Sequence, residues 1–180
     1  DSRLYLLRND EFSQLTVDHT VQEFLLNRGY NTPSDGRQVV PNHILSRSIG
    51  GERELEVEVQ ELVLEEDDLL VACSDGLYAA LDQGTLVETL VKRNGDLGVL
   101  ASSLVDRAIS TDGKDNVTVA LMAISGSHQN KTLSVVTGCA TECGETRSHN
   151  EDFVLADDKK GIVVLAGGMG GGKRGQVASH

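Results

Sequence analysis

Leu69-Leu70-Val71-Ala72-Cys73-Ser74-Asp75-Gly76 is a short apolar run that ends on a carboxylate. Its length and composition fit a buried strand. The same juxtaposition of apolar strand and acid recurs twice. Asp115 stands just before Val117-Thr118-Val119-Ala120-Leu121-Met122, and Asp152 just before Phe153-Val154-Leu155. Each acid therefore lies where a core strand meets a loop. Carboxylates converging at one end of a sheet suit a hard divalent cation, because Mg²⁺ and Mn²⁺ take octahedral oxygen donors, partly carboxylate and partly water.

Working outward, residues 3–8 read as a strand, and Asn9-Asp10 turns the chain into a second strand at 12–16. Asp18 is placed to cap a short helix carrying Val21, Phe24 and Leu25. Residues 28–51 hold both prolines, Pro33 and Pro41, and read as a long surface loop. Leu55, Val57 and Val59 alternate with Glu56 and Glu58, the pattern of a half-buried strand. After Gly76 two helices are expected. One has a stripe of Leu86, Leu90 and Val91; the other has Leu97, Leu100, Leu104, Val105 and Ala108. Strands at 133–136, 153–155 and 162–166 follow, then a glycine-rich loop and the start of a helix. Hairpin-connected strands outnumber helices, which predicts an α+β fold with largely antiparallel sheet.

Composition narrows the function. The 180 residues carry a formal charge of -12, with 28 acids against 16 bases, so broad binding to nucleic acid or an anionic membrane is not expected. Aromatic residues are 3% with no Trp, leaving few platforms for stacking on single strands. The apolar runs are too short for a transmembrane helix, and Asp1-Ser2-Arg3 shows no signal pattern. Three cysteines do not make a disulfide framework, so a reducing cytoplasm is the expected location. The acid run from Glu52 to Asp68 reads as solvated surface charge. Cys139 and Cys143 lack further ligands for a zinc site.

Taken together, the motifs resemble those of the bacterial metal-dependent protein phosphatases, the PPM or type 2C serine/threonine family. Asp1-Ser2-Arg3, Leu15-Thr16-Val17-Asp18-His19, Leu45-Ser46-Arg47-Ser48-Ile49-Gly50, Ser74-Asp75-Gly76-Leu77 and Gly113-Lys114-Asp115-Asn116-Val117-Thr118 are similar to the family's C-terminal half. Gly144-Glu145-Thr146-Arg147-Ser148-His149-Asn150-Glu151-Asp152, Leu165-Ala166-Gly167-Gly168-Met169-Gly170-Gly171 and Gly175-Gln176-Val177-Ala178-Ser179 are similar to its N-terminal segment. The order is thus permuted within one phosphatase-like domain of residues 1–180. Residues 1–125 correspond to the later half and 132–180 to the earlier segment. Residues 126–131 form a linker or a tag scar, since Gly126-Ser127-His128 resembles one.

The resemblance implies an α-β-β-α sandwich and hydrolysis of phosphoserine and phosphothreonine in proteins. Two Mn²⁺ or Mg²⁺ ions, about 3.5–4 Å apart, activate a water for in-line attack. By motif, Asp75 and Asp115 ligate one metal, and the Gly168 carbonyl ligates the other. Asp152 and Glu151 hold metal-bound waters, Arg147 grips the phosphate, and Asp1 with Asp75 can hold a third, weaker metal.

The resemblance also has departures. Gly167 stands where the family has an Asp that bridges both metals, which predicts weakened metal binding and little or no activity. Gly172 and Gln176 mark the same altered loop. A helical pair and connecting strands are lacking, so one sheet face should be exposed unless an oligomer or partner covers it. A pseudophosphatase or fragment that binds a phosphoprotein is therefore the alternative. A P-loop reading of Gly167 to Lys173 is weaker, because Arg174 occupies the position of the Mg²⁺-binding Ser or Thr.

Overall fold

The computed structural model describes residues 1–30, 44–50, 54–92, 95–127, 132–169 and 175–180. Most of the loop 28–51, the linker residues 128–131 and the glycine-loop residues 170–174, with His43, Gly172 and Lys173, lie outside the described residues. Contacts divide the chain into two units.

The larger unit comprises residues 2–16 and 64–180. Its main sheet has five antiparallel strands in the order β2-β1-β3-β4-β5. These are β1 (Arg3–Arg8), β2 (Glu11–Gln14), β3 (Leu69–Cys73), β4 (Val117–Ser127) and β5 (Thr132–Glu142). A second, two-stranded sheet pairs β6 (Asp152–Asp157) with β7 (Ile162–Gly167). The expected α+β class and antiparallel sheet are present. The β1–β2 turn has positive φ at both Asn9 (51°) and Asp10 (64°), the twist that two-residue hairpins favour.

Strand β4 has both faces covered. Val117, Val119 and Leu121 join Leu69, Val71 and Cys73 in the core that packs on the helices. Those helices are α2 (Asp75–Ala80), α3 (Gln83–Val91) and α4 (Leu97–Thr111), which contribute Leu77, Leu90, Ala101, Leu104 and Ala108. The alternate residues Thr118 and Ala120 are also buried, on the side where β6 and β7 lie against β4. Asp82 caps α3 by accepting from Thr85 N–H (3.0 Å), and Asp96 caps α4 by accepting from Gly98 N–H (2.6 Å). A short helix α5 (Gly175–Ser179) packs on β6 and β7. Leu155 and Val164 are cross-strand partners on β6–β7 and both are exposed, so this sheet retains open apolar surface.

The smaller unit comprises Asp1 and residues 17–63. Its one helix among the described residues, which precedes the others in sequence, is Val21–Asn27. Thr20 bridges to Leu45, and Ser46 N–H donates to the His19 carbonyl (2.8 Å). His19 Nε2 meets Glu58 Oε2 at 3.1 Å, and Arg47 pairs with Glu56 at 2.7 Å. His19 thus sits in a charged cluster with Glu58 and Arg47.

Several expectations are corrected. The helix cap is Thr20, not Asp18, because Thr20 Oγ1 accepts from Glu23 N–H (3.1 Å), a Thr-x-x-Glu start. Residues 55–59 form no strand; Val57 and Val59 are 69% and 81% exposed, so the alternation meets no neighbouring sheet edge among the described residues. Val91 is exposed, leaving Leu86 and Leu90 as the buried stripe of α3. Strands β4 and β5 each run for 11 residues, longer than their apolar cores, because they pair with each other along their whole length.

Asp68 is the further correction, since one acid of the surface run is buried. It is 1% exposed and accepts a bidentate pair from Arg8, Nε to Oδ1 at 2.7 Å and Nη2 to Oδ2 at 2.6 Å. Glu65 N–H adds a bond at 2.7 Å. The Arg8 hydrogen bonds hold its carboxyl below the usual carboxylate range. A depressed carboxylate stabilises the fold above its unfolded pKa, and that contribution disappears as pH falls through the folded value. Asp68→Asn should therefore lower unfolding free energy at pH 7 by about 1.5–3 kcal/mol, the range for a bond to a charged group. Urea titrations should show the difference constant from pH 7 to about 5 and shrinking below about 4. Equal stability at pH 7 would contradict the assignment.

Candidate metal and phosphate site

The end of β4 gathers the candidate residues of the larger unit. Strand β3 stops at Cys73, Ser74 takes an extended N-cap conformation, and Asp75 becomes the first residue of α2. Ser74 ties this exit to β4: its N–H donates to the Thr118 carbonyl and its Oγ accepts from Thr118 N–H, both at 3.0 Å. Asp115 precedes β4 and is closed locally by Asn116 N–H on its Oδ1 (2.8 Å). Asp152 opens β6, which lies against β4.

Asp75 and Asp152 feel the neighbouring acids. Burial raises the Asp75 carboxyl above its ordinary range, and the negative charges of Asp115 and Asp152 raise it further. Asp152 is also raised, chiefly by burial, with hydrogen bonds from Thr118 and Ser74 opposing and Asp115 adding. Like charges held together in a partly desolvated corner disfavour their own ionisation. Such groups mark functional sites when they lack compensating cations.

Arg147 supplies one compensation. Its Nη2 lies 2.7 Å from Asp115 Oδ2, and the side chain stays 38% exposed. The Arg147 N–H donates to the Gly144 carbonyl (2.9 Å), and Thr146 Oγ1 donates to the Lys114 carbonyl (2.6 Å). The Arg147 loop is thus pinned to the loop that carries Asp115.

Glu151 and Gly168 meet through their backbones, Gly168 N–H donating to the Glu151 carbonyl at 2.8 Å. The Asn116 amide, turned to satisfy both of its ends, accepts from Glu151 N–H (2.8 Å) and donates to the His149 carbonyl (3.2 Å). A Cβ at Gly168 would stand 2.3 Å from the Gly175 carbonyl oxygen and 2.6 Å from that of Glu151, so the chain approach there requires glycine. Gly167 differs. A Cβ there would meet only Asp152 Oδ1 at 3.4 Å and Ser2 Oγ at 3.9 Å, so a side chain has room and would start beside Asp152. The seventh predicted site residue of the cluster is thus a vacancy in chemistry rather than in space. Asp1 belongs to the smaller unit.

Sequence reasoning missed Thr118, Thr141 and Asn150, which hold Asp152. Their available signal was a hydroxyl in the apolar run after Asp115. Among the described residues, no group of three or more His, Cys, Asp or Glu stands ready-made around a metal position. Asp115 is drawn to Arg147, and Asp152 to Thr118 at 2.7 Å. The donor set still has the chemistry for a divalent cation: hard carboxylate oxygens whose mutual repulsion a cation would relieve. Cys73, Cys139 and Cys143 are not joined in disulfides.

No family model matches the chain. The phosphatase PhpP of Streptococcus pneumoniae is 34% identical over 125 residues, 69% of this chain and 50% of PhpP. The solved PPM Ser-Thr phosphatase MsPP of Mycobacterium smegmatis superposes with a TM-score of 0.57 at 32% identity, covering 68% of this chain and 52% of MsPP. The catalytic domain of the phosphatase PstP, solved with two manganese ions, gives a TM-score of 0.51 at 30% identity, covering 78% of this chain and 50% of its own. The chain spans about half the length of the curated relatives it matches. On its sequence, its antiparallel sheet and these relatives, the chain belongs to the bacterial PPM family of serine/threonine protein phosphatases.

Proposed function

We propose that this chain is built for metal-dependent hydrolysis of phosphoserine and phosphothreonine in proteins, with activity reduced by Gly167. The observation that carries the reading is the group of Asp75, Asp115 and Asp152 at the end of β4, with Arg147 on Asp115. Asp75, Asp115 and Asp152 would hold Mn²⁺ or Mg²⁺, with the Gly168 carbonyl, Glu151 and, for a weaker ion, Asp1 as further donors. When bound, such ions supply Lewis acidity and lower the pKa of a water.

The chain's own residues then have separate tasks. Arg147 presents a planar guanidinium to the phosphoryl oxygens, releasing Asp115 as it does so. Thr118 and Ser74 donate to Asp152 and so oppose the burial that disfavours its ionised form. The Glu151–Gly168 backbone bond fixes the glycine strand-end beside these acids. No protein nucleophile is required. Three cysteines outside any disulfide suit a reducing cytoplasm, and among the described residues no helix is long and apolar enough to cross a membrane. The permuted order, with 132–180 as the family's earlier segment joined through 126–131 to 1–125, is part of the same proposal. The exposed face of β6–β7 is where a partner or second copy would sit.

The alternative, a pseudophosphatase that keeps Arg147 for phosphoprotein binding, is favoured by the missing carboxylate at 167. Hydrolysis of a phosphothreonine peptide in Mn²⁺ separates the two. Gly167→Asp should raise kcat/KM at least about tenfold, because a carboxylate there offsets repulsion between two cations. Robust hydrolysis by the unmodified chain would sink the claim that Gly167 impairs it. Failure of both proteins to hydrolyse the peptide, with the peptide still bound, would favour the binding module.

A second expectation concerns the metal-free protein. Asp75→Asn removes a buried charge that its neighbours oppose, so the thermal midpoint without metal should rise by a few degrees. The same variant should lose the upward shift that Mn²⁺ gives the unmodified chain. Calorimetric scans with and without Mn²⁺ measure both, and an unchanged Mn²⁺ shift in the variant would remove Asp75 from the ligand set.

A further inference from the structure

Thr118 is fully buried on the β6-facing side of β4, and its hydroxyl has two polar partners. Its Oγ1 lies 2.7 Å from Asp152 Oδ2 and 2.7 Å from Thr141 Oγ1. Thr141 is its cross-strand partner on β5. Asn150 Nδ2 donates to Thr141 Oγ1 at 2.8 Å, while Asn150 Oδ1 accepts from Asp152 N–H at 3.0 Å.

These contacts allow only one direction of donation. Asn150 must present its oxygen to the Asp152 N–H, so its NH₂ faces Thr141 and can only donate. The Thr141 oxygen therefore accepts, and its proton is free to go to Thr118. Thr118 in turn has its proton left for the Asp152 carboxylate, which is an acceptor when ionised. The chain runs Asn150, Thr141, Thr118, Asp152, and it returns to Asn150 through the Asp152 amide. It ends on Oδ2. The other oxygen, Oδ1, is the one that lies nearest to the Gly167 position.

We propose that Thr118 is a positioning residue: with Thr141 and Asn150 behind it, its hydroxyl ties Oδ2 of Asp152 into the ring and so turns Oδ1 toward the Gly167 position as the oxygen offered to a divalent cation or its water. Two readings meet here, and the assignment of a cation rests on the function proposed above. The hydrogen-bonded ring itself does not. Its logic is that of groups behind a ligand, which fix ligand orientation and whose loss costs about 10- to 100-fold in metal affinity. It also joins the two sequence segments, since Thr118 lies in 1–125 while Thr141, Asn150 and Asp152 lie in 132–180.

The test uses the full chain and two variants, Thr118→Val, which keeps shape and loses the hydroxyl, and Thr118→Ser, which keeps the hydroxyl. Mn²⁺ titration calorimetry should show Thr118→Val at least about tenfold weaker and Thr118→Ser within about threefold of the unmodified chain. In parallel, carbon NMR in mixed H₂O and D₂O should show a deuterium isotope shift on the Asp152 carboxyl carbon, transmitted from the Thr118 hydroxyl. That shift should persist in full in Thr118→Ser and shrink in Thr118→Val, where the Ser74 hydroxyl remains as the other donor. A folded Thr118→Val that binds Mn²⁺ like the parent overturns the proposal, as does a folded Thr118→Ser that binds as weakly as Thr118→Val. If the unmodified chain binds no Mn²⁺, the metal reading fails, and the isotope shift alone then decides whether the hydroxyl holds Asp152. Its absence in the unmodified chain overturns the proposal. Should Thr118→Val not fold, the isotope shift in the parent and in Thr118→Ser gives the same decision.

Discussion

Strand β4 buries both of its faces, and the positions of the candidate ligands depend on that constraint. Val117, Val119 and Leu121 pack toward the helices with β3, and this packing sets where β3 ends relative to where β4 begins. Asp75 and Asp115 consequently emerge at one end, where Ser74 and Thr118 exchange backbone and hydroxyl hydrogen bonds. The opposite face, with Thr118 and Ala120, receives β6 and β7. Asp152 arrives with β6. A strand covered on only one side could hold two of the three acids, not all three.

Covering β4 on both sides has an electrostatic consequence. Carboxylates are brought into a corner where water cannot fully screen them, so each opposes the ionisation of the next. The chain answers with unequal means. Asp115 has a guanidinium, and Asp152 has two hydroxyls. Asp75 has the Gly76 N–H, and its strongest perturbation is burial itself. A fold optimised only for stability would replace such acids. Retaining them agrees with the general finding that local rules are broken where function needs it. Gly167 then stands out as the one position beside Asp152 where the repulsive arrangement could accept a further acid and does not.

Much of this was readable from periodicity, and the failures have definite physical causes. Short apolar runs identified β1, β3, β4, β6 and β7, and Asn9-Asp10 identified its hairpin because few residues tolerate two successive positive φ angles. Acids at strand ends pointed to the site. Helix α2 escaped because six residues span too few turns for a stripe to repeat. Residues 55–59 misled because alternation is only the capacity for a strand; the ladder needs a neighbour. Asp68 looked like its exposed neighbours because its partner, Arg8, is 60 residues away. The same limit hid the ring around Asp152. Thr118 and Thr141 become neighbours only through the β4–β5 register, and no local pattern encodes that distance.

The register also explains why motif order need not matter to the site. Strands β4 and β5 are antiparallel neighbours paired from Val117↔Glu142 to Ser127↔Thr132. Antiparallel neighbours can be joined by a short connection, whereas parallel ones need a long crossover. The two motif-bearing segments can thus follow one another in either order without altering which side chains face each other. The Asp152 ring draws on both segments, so its geometry is a property of strand pairing rather than of chain direction. On the permuted order proposed above, the site keeps its geometry for that reason, and the carboxylate proposed to be missing at 167 is then the larger chemical change.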